Sequence, residues 1–204
     1  MTPMLRQYLE IKEQHPGTIL FYRMGDFYEM FFEDAHTCSR VLGITLTSRS
    51  KDDTNKVPMC GVPYHALSGY LAKMVKAGYR VAICEQTEDP KHAKGIVKRE
   101  VVRIVTPGVT TDDQLLDDKN NTYVCALCFN KKKKKMVAAG LSFLDVSTGN
   151  FLISEIPLAD NLTGPIIDEI TRMQPAELLL PEESLDSLQE LTETLTTLLN
   201  TTMP

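Results

Sequence analysis

Apolar residues at the start of the chain fall in two rhythms, one helical and one extended. Met4, Leu5, Tyr8 and Leu9 share one face of a short helix that Thr2-Pro3 opens and His15-Pro16-Gly17 stops. Thr18 to Met24 is rich in strand formers, Gly25-Asp26 supplies a turn, and Phe27 to Phe32 is a second extended segment, so the pair predicts a hairpin. Glu33 to Leu42 has helical character and ends at Gly43; Ile44 to Thr47 is expected to resume a strand before the polar loop Ser48 to Lys56. From Ala66, the positions Leu67, Tyr70, Leu71, Met74 and Val75 repeat with helical period between Pro63 and Gly78, with Lys73 and Lys76 on the opposite face. Arg80 to Glu85 and Val97 to Val105 predict strands, and the first domain is expected to be an α+β unit with a mixed sheet.

Pro107-Gly108 and the acidic stretch Thr111 to Asn121 combine turn residues with a change of charge and mark a boundary. The expected division is a first domain over 1–110, a linker over 111–120 and a second domain over 121–204 that stops short of its last elements. In that domain Thr122 to Phe129 and Met136 to Val146 predict strands joined by Asn130 and Lys131 to Lys135, which we read as a solvated hairpin tip. A third strand, Asn150 to Ile156, follows the turn Ser147-Thr148-Gly149. A helix over 162–173 with Ile166, Ile167, Ile170 and Met173 inward, a strand Glu177 to Leu180 and a helix Glu183 to Leu199 complete the pattern. Three antiparallel strands followed by helix and strand suggest an α/β ribonuclease-H-like layer fold.

Charge changes this picture more than composition does. The net charge is −5, but residues 1–111 hold 15 Lys and Arg against 12 Asp and Glu, whereas residues 112–204 hold 7 against 15. Residues 73–103 alone carry 8 basic groups against 4 acidic, a candidate basic patch whose plainer reading is an ordinary solvated face. No apolar run reaches the roughly 18 residues of a membrane helix and no signal peptide is recognisable, so a cytoplasmic protein without a membrane partner is expected. The five cysteines are expected to be reduced and buried; Cys125 and Cys128, three apart on a strand, would point to opposite faces and make a poor zinc pair.

The run Arg23-Met24-Gly25-Asp26-Phe27-Tyr28-Glu29-Met30-Phe31 resembles the signature of the mismatch-recognition domain of the MutS family, Phe-x-Glu after Gly-Asp. The resemblance extends through Thr2-Pro3-Met4, Gly61 to Ala66, Ile83 to Gln86 and Val101 to Gly108, covering residues 2–108; residues 121–204 are similar to the start of that family's connector domain. It implies binding of mismatched double-stranded DNA in mismatch repair, a bacterial, nucleoid-associated setting, a homodimeric full-length protein and a MutL-type partner engaged by the connector domain. It also implies an ATPase using ATP and Mg²⁺ in a part of the family's proteins outside these residues, where no G-x-x-x-x-G-K-[ST] occurs, so this fragment is expected to have no enzymatic activity and no cofactor.

Residues two apart on a strand project from one face, so Phe27 and Glu29 reach one spot on a duplex together. The resemblance implies that Phe27 stacks on a mispaired base from the minor groove while the duplex kinks, an unstacking that costs a few kcal/mol per step and that a mismatch cheapens. It implies that Glu29 hydrogen-bonds to that base, protonated where the ring nitrogen is an acceptor. Met24 is a candidate second apolar contact; Lys94 and Arg103 are candidate phosphate contacts. A Cys60/His65 nucleophile is disfavoured because the segment leads into a helix. Asp145 in Asp145-Val-Ser-Thr-Gly149 superficially resembles a nuclease metal strand, but one carboxylate falls short of two-metal chemistry. The acidic second half suits a protein-interaction platform better than phosphate contact.

Overall fold

A computed structural model describes residues 2–49, 56–88, 95–109, 121–132, 135–157, 163–181 and 189–199. The chain divides into two compact units, Met1–Val105 and Thr106–Pro204. The family-independent boundary thus falls just before Thr106-Pro107-Gly108, and Gly108 packs with the second unit: a Cβ there would lie 2.6 Å from Val124 and 2.9 Å from Glu177.

In the first unit α1 spans Pro3–Glu13, capped by the Thr2 hydroxyl, which accepts from the Leu5 amide. Strands β1 (Thr18–Met24) and β2 (Phe27–Phe31) form the expected hairpin around Gly25, whose φ of +58° suits a turn. Helix α2 (Phe32–Leu42) ends at Gly43 in the left-handed region. The expected strand Ile44 to Thr47 is instead only β3, Thr47–Ser48, and an unexpected strand β4, Pro58–Pro63, follows. Prolines at both ends and Gly61 inside disguise β4 in the sequence; the ends of a strand are where proline does least damage to a ladder. A 3-10 turn, Tyr64–Ala66, leads into α3 (Leu67–Lys76), and β5 (Arg80–Gln86) and β6 (Arg99–Val105) close the unit.

The strands form one mixed sheet in the order β3-β4-β2-β1-β5-β6, with β1 parallel to β5 and the other neighbours antiparallel, so the expected α+β unit holds. On one face Leu20, Tyr22, Phe31, Ala82 and Cys84 form a core with Leu5, Tyr8 and Ile11 of α1. Tyr8 meets Phe31 edge-on at 5.0 Å and Tyr22 at 5.5 Å. The other face carries Tyr28, Met30, Cys60 and Val62, all buried; the Cys60 thiol donates to the Ala35 carbonyl of α2 at 3.5 Å.

In the second unit β7 (Tyr123–Lys132), β8 (Lys135–Asp145) and β9 (Asn150–Pro157) are antiparallel, and β10 (Glu177–Leu179) joins β7 in parallel, giving the order β10-β7-β8-β9. The strands run further into the lysine stretch than expected, with Lys132 opposite Lys135; residues 133–134 lie outside the described ones. Ile166 and Ile170 of α4 (Gly164–Met173) and Leu191 and Leu195 of α5 (Gln189–Leu199) bury against Tyr123, Cys125, Leu127, Leu141 and Phe143. The expected linker over 111–120 and the first turns of the last helix lie outside the described residues.

Candidate nucleic-acid interface

Alternation along β2 puts Phe27, Glu29 and Phe31 on one face and Tyr28 and Met30 on the other. Helix α1 buries Phe31 completely but leaves Phe27, at the far end, 47% exposed. An exposed phenyl ring gains nothing from folding, and Tyr28 beside it shows the contrast: it is 2% exposed, packs at 6.2 Å from Phe21 and donates its hydroxyl to Glu85.

Glu29 lies between these extremes. Its neighbours in the sheet are Tyr22 on β1 and Gly61 on β4. Its side chain is 19% exposed and its Oε2 accepts from Nη1 of Arg49 at 2.8 Å. Burial raises the carboxyl above its ordinary range, while Arg49, and more weakly Arg99, hold the shift back. The bare side of Gly61 gives this face its depth. A Cβ there would stand 3.7 Å from Glu29 Cγ, 3.9 Å from the Phe27 ring and 3.3 Å from the Tyr28 carbonyl.

Met24 pairs with Phe27 across the hairpin and is half-buried, so the structure brings it to the candidate site. Behind it lies Arg99, only 8% exposed, which donates to the Arg23 carbonyl at 2.7 Å, to Gln7 Oε1 at 3.1 Å and to the Met24 sulfur at 3.4 Å, and stacks over Tyr22 at 4.8 Å. Arg103 is exposed but sits on the edge strand β6, opposite Ile83, with β1 and β5 between it and β2. Lys94 lies outside the described residues. The basic run 73–103 therefore splits: Lys73 and Lys76 are exposed on α3, Arg99 is internal, and Lys98 pairs with Glu100 at 2.7 Å. Arg49 and Gly61 were not singled out by sequence reasoning. The unrecognised strand β4 is the reason, since without it nothing brings either residue to Glu29.

The other candidates resolve plainly. Cys60 is buried against α2, whereas His65 is exposed and meets Tyr64 at 5.9 Å, so no Cys/His pair forms. Asp145 is buried, and its carboxylate accepts from the Ser147 hydroxyl at 2.7 Å, the Ser147 amide at 2.9 Å and the Thr148 and Thr122 amides. Those bonds, the Ser147 hydroxyl first, hold its pKa below the usual value: it is a turn anchor. Cys125 is buried and Cys128 exposed, on opposite faces as expected, but Cys128 departs from the expectation of five buried thiols. Among the described residues no group of three or more His, Cys, Asp or Glu is placed to hold a metal ion, and no helix is long and apolar enough to cross a membrane.

A mixed-sheet unit with an aromatic ring and a carboxylate side by side on an open face, followed by an α/β unit, defines a two-domain class for which comparison with known proteins is direct. The family model for MutS domain I matches residues 2–114 and that for MutS domain II matches residues 122–203. The chain belongs to the MutS family and carries these two domains. It is 52% identical over 90% of its length to the DNA mismatch repair protein MutS of Desulfatibacillum aliphaticivorans, covering 20% of that protein. It is 48% identical to the MutS of Methanosarcina acetivorans over 89% of the chain and 21% of the relative, and 46% identical to that of Chlorobaculum parvum over 98% and 22%. The chain thus spans about a fifth of the length of these relatives.

Proposed function

We propose that residues 2–109 are the mismatch-probing module of a DNA mismatch repair protein. Phe27 enters the minor groove and stacks on a mispaired base, Glu29 hydrogen-bonds to that base, and Met24 lines the wedge beside Phe27. The observation that carries this reading is the exposure of Phe27 at the uncovered end of a sheet face whose other aromatic residues are buried. Burial shifts the Glu29 carboxyl toward the protonated form, the donor that an acceptor nitrogen requires. Selection then rests on how easily the duplex unstacks, which serves many mispairs with one wedge. Arg103, and Lys94 outside the described residues, would serve as phosphate contacts away from the wedge.

The second unit is read as the start of a ribonuclease-H-like connector that engages a MutL-type partner. Its acidic balance and the exposed Phe151, Leu152 and Ile153 on β9 support that role. In the full-length protein, taken to be a homodimer, ATP and Mg²⁺ would be bound outside these residues, which contain no G-x-x-x-x-G-K-[ST] sequence.

The deciding experiment pairs two measurements on Phe27→Ala. In this chain the urea midpoint is expected to change little, whereas truncating a buried Phe costs about 3–5 kcal/mol. In the complete protein the preference for a G·T over a matched duplex is expected to collapse, because base–aromatic stacking is worth about 1–3 kcal/mol. Large destabilisation with retained mismatch preference would overturn the assignment.

A further inference from the structure

Arg49 follows β3 and is anchored by its amide, which donates to the Val57 carbonyl at 3.2 Å. Its guanidinium lies 5.9 Å from the Phe31 ring and bonds Glu29 Oε2 at 2.8 Å, with 39% of the Arg49 side chain and 19% of the Glu29 side chain exposed. Among the described residues, the charged groups acting on Glu29 are Arg49 from the β3 side and Arg99 from β6; Gly61 on β4 brings none. Arg99 is committed to Gln7 and two backbone carbonyls, so among the described residues Arg49 is the cation bonded to the carboxylate.

We propose that Arg49 is a positioning residue that acts through Glu29: it fixes the carboxylate beside Phe27 and cancels its charge as DNA phosphates approach. The proposal rests on the reading of Phe27 and Glu29 given above. An unpaired carboxylate on a DNA-facing surface repels every duplex, matched or not, and an ion pair removes most of that repulsion at the cost of holding the carboxylate back from the base. Only a partner that rewards Glu29, a base able to bond it, then draws the carboxylate forward. Arg49 thereby lowers the repulsion that either duplex meets, without contacting a base.

The test combines two readouts. In the 204-residue chain, ¹³C NMR titration of the Glu29 carboxyl is expected to move upward in Arg49→Ala, because the attraction that favours the charged form is gone; an unmoved titration would overturn the pair itself. In the complete protein, Arg49→Ala is expected to weaken binding to matched and G·T duplexes, and that loss is expected to shrink by at least about twofold in the Glu29→Gln background, as for contacting groups that act as one unit. A loss of equal size in both backgrounds would make Arg49 an independent phosphate contact and overturn the proposal. Arg49→Lys, which keeps the charge, is expected to lose less than Arg49→Ala; equal losses would overturn the electrostatic account. If the NMR titration shifts while Glu29→Gln leaves the preference for the G·T over the matched duplex unchanged, the underlying reading of Glu29 is what fails.

Discussion

Phe27 and Glu29 stand two residues apart on one strand face yet meet different surroundings. The ring is about half exposed, whereas the carboxylate is largely enclosed, with Tyr22 and Gly61 as its strand neighbours and Arg49 bonded to it. Burial disfavours the charged form of Glu29, so its folded pKa lies above the unfolded one. A raised folded pKa means that Glu29 favours the fold most below its unfolded value, about 4.3, and that this contribution is lost as pH rises through the folded value. Glu29→Gln cannot ionise and escapes that loss. Its stability relative to the native chain is therefore expected to improve between about pH 4 and pH 7, followed as urea unfolding free energies of the two proteins. A difference that stays flat with pH would mean that Arg49 fully offsets the burial. The Phe-x-Glu spacing and its shared face were readable in the sequence, because strand alternation is a property of the backbone. The pairing with Arg49, 20 residues on, was not.

At the level of elements, α1 decides how much of the sheet face bearing Phe27 and Phe31 is open, and Asp34 helps to decide where α1 sits. Asp34, 6% exposed on α2, accepts from the Tyr8 hydroxyl at 3.0 Å, the Lys12 ammonium at 2.8 Å and the Leu20 amide at 2.9 Å, tying α1, α2 and β1 at one buried carboxylate. Removing it takes the acceptor from the buried Leu20 amide and leaves the Tyr8 hydroxyl and the Lys12 ammonium with only the Phe31 and Thr18 carbonyls. Asp34→Ala is expected to destabilise the chain by about 2–4 kcal/mol, read as a shift of the urea midpoint at unchanged slope. A cost below about 1 kcal/mol would show that α1 is held by its apolar contacts alone. Helices α1, α2 and α3 and the β1/β2 hairpin were legible from caps, period and turn residues. Strand β4 was not, because Pro58, Gly61 and Pro63 are poor strand formers and only pairing with β2 and β3 holds them extended.

Across the whole molecule the charge asymmetry limits what this chain does alone. Much of the basic surplus in the first half is spent internally or on ion pairs: Arg99 is buried, Lys12 pairs with Asp34, Arg49 with Glu29 and Lys98 with Glu100. With 15 basic against 12 acidic groups over residues 1–111, a net of only +3, the isolated chain is expected to neutralise about two to three phosphates, so its affinity for a G·T duplex is expected to be weak and to fall roughly ten- to fortyfold between 50 and 200 mM salt. Fluorescence anisotropy against the complete protein tests this, and tight, mismatch-selective binding by the 204-residue chain would contradict it. Family membership, the two-part division and the aromatic–carboxylate pair could all be read from the linear chain, because each is written in contiguous residues: a nine-residue signature, a shift of charge, an alternation of period. Tertiary structure decided the rest. It determined that Arg99 turns inward, that Arg103 lies at the far edge of the sheet, that Asp145 anchors a turn, and that Gly61 and Arg49 complete the site. Those outcomes depend on which strands become neighbours, and pairing between distant segments is set by the packing of the whole sheet against its helices, which no local pattern encodes.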